Sequence, residues 1–180
     1  MPIPQKVTLL KPTFDDLPMG RAEFIALMAM MFATIAFSID AMLPAIEQIG
    51  QELAPSDPTR ASLIVTSFVL GMGIGTFVSG PLSDAFGRRN MMFMGAGLYI
   101  AAACVAWAST SLEVMLVARL FQGIGASGPR VVSVAIIRDL FSGREMARIL
   151  SIVMMIFTLF PAVAPAIGVV IMGFAGWRSI

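Results

Sequence analysis

The chain has 180 residues, of which 58% are hydrophobic and 13% charged, with a mean hydropathy of +0.88; soluble domains carry roughly 25% charged residues, so neither a soluble globular protein nor a disordered one fits. A net charge of +1 leaves no basic surplus to neutralise phosphates, which excludes nucleic acid as a partner. With no His and one Cys, Cys104, Ser-His chemistry, the commonest metal ligands and an internal disulfide drop out, so neither a cofactor nor a metal is expected.

Residues 1–21 read as a polar, Pro-rich cytoplasmic tail, without the short apolar core and small-residue cleavage site of a signal peptide. Residues 22–180 read as one helical bundle. Charge is missing from 24–39, 61–83, 90–112 and 149–177. The three longer runs exceed the roughly 20 apolar residues that cross a bilayer core as a helix. Five spans are predicted, at about 22–46, 61–82, 91–110, 113–137 and 147–174. The fold class is therefore an all-α membrane protein with five transmembrane helices, and the lipid bilayer is its first partner.

Orientation is predicted from Lys and Arg in the loops. With the N-terminus inside, the cytoplasmic face holds Lys6, Lys11, Arg21, Arg88, Arg89, Arg138, Arg144 and Arg148, and the outer face only Arg60 and Arg178. The first outer loop also carries Glu47, Glu52 and Asp57.

In the first span, Asp40 is the one acidic residue well inside an apolar run. It precedes Ile46 by six residues, a depth of roughly 9 Å at 1.5 Å per residue. In the second span Ser67, Gly71, Gly75 and Ser79 recur every fourth residue, a small-residue stripe suited to close helix packing. In the fourth span Arg119 and Arg130 stand eleven residues apart, which offsets them by only ~20° around the helix. Gln122, Gly123 and Ala126 share that face. An Arg facing lipid is costly, so the face should look at a cavity or an acidic partner; Arg130, nearer the inner end, has the alternative of reaching the headgroups. Arg119 lies six residues below Glu113, at the depth of Asp40, so the two are candidates for a pair or for one shared cavity. The fifth span carries Pro161, Pro165 and Gly168; two prolines one turn apart predict a bend.

Three motifs are more specific. Gly80-Pro-Leu82-Ser-Asp84-Ala85-Phe-Gly87-Arg88-Arg89, between spans two and three, resembles the G-x-L-x-D-R-x-G-R-[KR] loop of the major facilitator superfamily, with Ala85 where an Arg is usual. Arg119-x-x-Gln122-Gly123-x-Gly125-Ala126 resembles that family's fourth-span motif, and Ala164-Pro165-x-x-Gly168 the fifth-span motif of its antiporters. Ser38-Ile-Asp40-Ala-Met-Leu43-Pro44, with Arg138-Asp139-Leu-Phe, is similar to the drug:proton antiporter branch that includes bicyclomycin- and chloramphenicol-resistance exporters.

The resemblance implies proton-coupled efflux of small amphipathic, drug-like molecules across a bacterial inner membrane. It gives Gly80, Asp84, Gly87, Arg88 and Arg89 a cytoplasmic gate, and Asp40, Arg119, Gln122 and Arg130 the proton-coupling cavity. Such transporters have twelve spans in two halves, so the chain reads as an N-terminal half that stops before the sixth helix, with the C-terminal half as missing partner. Two other readings stand beside drug efflux: a non-transporting membrane fragment, and a sugar or metabolite transporter of the same superfamily. Gly125-Ala-Ser127-Gly128 fits an intramembrane serine protease, but that chemistry needs a His base.

Overall fold

A computed structural model describes residues 19–180. The first span, Arg21–Leu53, comprises α1 (Arg21–Asp40), a 3-10 turn at Leu43–Ala45 and a short helix α2 (Ile46–Leu53). Then come α3 (Leu63–Phe86), α4 (Arg88–Trp107), α5 (Leu112–Leu140) and α6 (Gly143–Ala175), and a last 3-10 turn at Trp177–Ser179. Among the described residues five helical segments are long and apolar enough to cross a membrane. The tail predicted at 1–21 lies almost wholly outside the described residues.

The first helix stops earlier than the hydropathy implies. Pro44 lacks an N–H, and in a continuing helix its ring would strike the carbonyl four residues back, that of Asp40. Asp40 is therefore the last residue of α1, while the segment long and apolar enough to cross a membrane continues to Leu53. In the fifth span α6 is one continuous helix that includes both Pro161 and Pro165. Between α3 and α4 the chain turns at Gly87, where φ is +85°, a conformation that L side chains rarely adopt.

The long helix α5 sits centrally, packed along α3 and α4, while α1 packs along α6 and crosses α5. Hydrophobic collapse does not drive helices together inside lipid; close backbone approach does. The stripe on α3 serves this purpose. Gly71, Gly75 and Ser79 are buried, and a β-carbon on Gly71 would collide with the Leu120 backbone. One on Gly123 would strike Phe68 and Met72. Ser79 and Ser127 close the same seam with a 2.8 Å hydrogen bond. Outside, Phe77 and Phe174 are 86% and 90% exposed, which is costly in water and free in a hydrocarbon phase.

Two larger cores lie toward opposite ends. One gathers Met42, Ile49, Ile64, Leu112, Met115 and Trp177; this is the Glu52 end. The other gathers Phe24, Met28, Phe32, Ile137, Phe141, Ile149 and Val153, toward the end that carries Asp84.

Candidate functional site

Arg119 is 4% exposed, near the start of α5, where that helix meets the end of α1. Its Nη1 donates to the backbone carbonyl of Ser38, 3.3 Å away, and its Nη2 donates to the sulfur of Met42. These two residues flank Asp40. The half-buried Asp40 carboxylate itself is not among the partners of Arg119, so the side chains predicted as a pair are held on neighbouring helices without joining.

Ser38, the first residue of the first-span motif, is a junction whose partners the sequence did not mark. Its hydroxyl donates to the Thr34 carbonyl at 2.6 Å. That uses its single proton, so in the 2.5 Å contact with Tyr99 the phenol is the donor. Helices α1, α4 and α5 therefore meet at one serine: Tyr99 binds its side chain and Arg119 its carbonyl. Arg119 Nε and Gln122 Oε1 are buried without a hydrogen-bond partner. Both residues border a cavity of about 350 Å³, which reaches from Met42 and Tyr99 to the turn at Trp177. Among the described residues no cluster of three or more His, Cys, Asp or Glu could hold a metal ion.

At the opposite end Arg88 organises the charged loop. Its Nη1 donates to Asp84 Oδ1 at 2.7 Å and to Ser83 Oγ at 2.5 Å, and its Nε donates to Asp139 Oδ2 at 3.2 Å. Three elements, the ends of α3, α4 and α5, are joined by one guanidinium. Arg89 points elsewhere, 5.7 Å over the Phe93 ring. Arg130 is exposed and borders a cavity of about 390 Å³ with Gly80, Asp84, Arg88, Arg138 and Asp139. Arg119 and Arg130, expected to share one cavity, border different ones: Arg119 the cavity beside Met42 and Tyr99, Arg130 the one at the charged loop. Gly80 meets no neighbour within 4 Å, whereas Gly87 is needed for its positive φ.

In the fifth span Gly168 is the residue that matters for packing. A β-carbon there would run into the Ala41 backbone, directly after Asp40. Pro165 is half-buried and Pro161 exposed. Phe157 joins the same helix pair edge-on to Phe32, with centroids 6.0 Å apart.

The sequence family described as Major Facilitator Superfamily matches residues 25–180. The MFS-type transporter YdgK of Bacillus subtilis is 33% identical over 89% of this chain and 40% of its own length. A bicyclomycin resistance protein homolog of Haemophilus influenzae is 32% identical over 87% of this chain and 39% of its own length. A chloramphenicol resistance protein of Pseudomonas aeruginosa is 32% identical over 81% of this chain and 35% of its own length. The chain thus spans about two fifths of the length of these curated relatives. That family is one of transporters, not enzymes. The match over residues 25–180, on five membrane-spanning helical segments with the charged loop at one end, means that this multi-pass membrane chain belongs to the major facilitator superfamily.

Proposed function

We propose that this chain forms the N-terminal part of a proton-coupled exporter of small drug-like molecules, with its N-terminus on the cytoplasmic face of a bacterial inner membrane. One observation carries the proposal: a buried arginine, Arg119, binds α1 on both sides of Asp40 without bonding its carboxylate, which forms no ion pair among the described residues. A half-buried carboxylate can exchange a proton as its surroundings dry and wet, because burial disfavours its charge. The printed names of the bicyclomycin and chloramphenicol resistance relatives support the substrate class. The eight-to-two distribution of Lys and Arg between the predicted faces supports the orientation.

On this reading Asp40 carries the proton, and Arg119 and Gln122 shape its site. Arg88 ties Asp84 to Asp139 as part of a gate that closes against the other half. The other half of the transporter is the obligate partner, since the substrate site lies between halves. The test is efflux of chloramphenicol or bicyclomycin from inverted vesicles with an imposed pH gradient, by a full-length transporter containing this segment. Asp40→Asn should abolish gradient-driven efflux at equal expression. Full efflux by that variant places the proton elsewhere.

A further inference from the structure

Arg130 is exposed and makes no hydrogen bond or ion pair among the described residues. It stands ten residues before the end of α5, a depth of roughly 15 Å at 1.5 Å per residue. Thr76 stands ten residues before the end of α3, and both border the same cavity of about 390 Å³. A guanidinium at that depth is costly against lipid and is tolerated where it faces a polar cavity or an anion. Three arginines and two aspartates border the cavity: Arg88, Arg130 and Arg138 against Asp84 and Asp139. Arg88 holds both aspartates, so neither is bonded to Arg130. The border therefore carries one more cation than anion.

We infer that Arg130 recognises the negatively charged group of a small amphipathic organic acid that lodges in this cavity. A guanidinium takes a carboxylate through two parallel hydrogen bonds. Val131, Val134 and Ala135 supply an apolar wall for the body of the ligand. Thr76 donates its hydroxyl proton to the Met72 carbonyl at 2.7 Å, which leaves its oxygen as an acceptor for a donor group on the ligand. The volume is that of a small-molecule site, roughly 300–1,000 Å³. An organic cation would meet the surplus positive charge instead, so the same residue that admits acids rejects cations. The cavity reaches the charged loop, the end predicted to face the cytoplasm, where an exporter loads. That the bound acid is cargo rests on the efflux reading above; its recognition by Arg130 does not.

The probes are fluorescein, an organic anion, and tetramethylrosamine, a cation on the same xanthene ring system. Their fluorescence anisotropy is titrated with the purified 180-residue chain in a non-ionic detergent. The chain should bind fluorescein more tightly than tetramethylrosamine. Arg130→Gln should weaken fluorescein binding by roughly 10- to 100-fold, for loss of a hydrogen bond to a charged group. Arg130→Lys, which keeps the charge but loses the planar fork, should weaken it less. Arg130→Glu should reverse the order of the two dyes. Arg148→Gln removes an exposed cation of α6 outside the cavity and should leave binding at the wild-type value. Wild-type fluorescein affinity in Arg130→Gln overturns the site, as does an equal loss in Arg148→Gln. A full-length transporter containing this segment should bind fluorescein with comparable affinity and the same dependence on Arg130. Loss of binding there would give Arg130 to an acidic residue of the other half and overturn the ligand site. No transport or pH gradient is involved, so failure here leaves the proton-coupling proposal standing, and Asp40→Asn decides that one separately.

Discussion

The guanidinium of Arg119 donates to the carbonyl oxygen of Ser38, 3.3 Å away, from a side chain that is 4% exposed. A buried charge is thus held by a backbone dipole and a methionine sulfur rather than by a carboxylate. The arrangement keeps Arg119 fixed and leaves Asp40, two residues along, outside its hydrogen bonds.

Arg119 should contribute to the stability of the chain as well as to any transport. Arg119→Lys keeps the charge but loses the planar fork. Polar contacts between membrane helices contribute about 0.6–1.7 kcal/mol each, so thermal unfolding in detergent should show Arg119→Lys destabilised by about 1–2 kcal/mol. Arg119→Ala should lose more, since the Ser38 carbonyl is left without that donor. Wild-type stability in Arg119→Ala would mean that the contact holds nothing together.

Asp40→Asn should behave differently in the same assay. Its carboxylate is half-buried at the end of α1 and is not a partner of Arg119. Neutralising it should change stability by no more than about 0.5 kcal/mol, the range of substitutions outside packed features. Loss of efflux combined with unchanged unfolding would separate a functional carboxylate from a structural one.

Glycines of α3 should split into two groups. Gly71→Ala forces a methyl into the Leu120 backbone, whereas Gly73→Ala meets nothing within 4 Å. The first should weaken the α3–α5 seam by about 1–3 kcal/mol, as overpacking does. The second should be neutral or stabilising by up to about 1 kcal/mol, from helix propensity. Comparing the two variants by thermal unfolding checks the seam directly; equal behaviour would mean that α3 and α5 are further apart than described.

At the charged loop, Arg88 should be coupled to both of its acids. The acids are 70% and 53% exposed and the Arg 32%. Double-mutant cycles of Arg88→Gln with Asp84→Asn, and with Asp139→Asn, should each give a coupling of about 0.2–1 kcal/mol, as exposed pairs do. In a full-length transporter Asp84→Asn should lower transport well beyond that small stability change. Normal transport at equal expression would remove the gate.

The sequence by itself determined the parts of this protein that are written in consecutive residues. Long charge-free runs fixed the membrane class, because each residue's transfer cost adds along a helix. The spacing of Gly71, Gly75 and Ser79 marked a packing face, because four residues return to nearly the same side of a helix. Gly87 was legible as part of a loop motif, and its positive φ supplies the reason for glycine.

Only the tertiary structure decided the partners. Arg119 was legible as a membrane arginine with a polar face, but its acceptor is a backbone carbonyl 81 residues away, and backbone atoms have no side-chain signature. Asp139 lies 51 residues from Arg88, and Glu52 125 residues from Trp177. Pairs so distant meet only once helices have crossed, and crossing follows from small residues that let backbones touch. The proline at position 44 shows how the two levels combine. Its missing N–H ends α1 by local chemistry, and only the packing of α5 and α6 shows what surrounds that end: Arg119 on Ser38 and Met42, and Gly168 against Ala41.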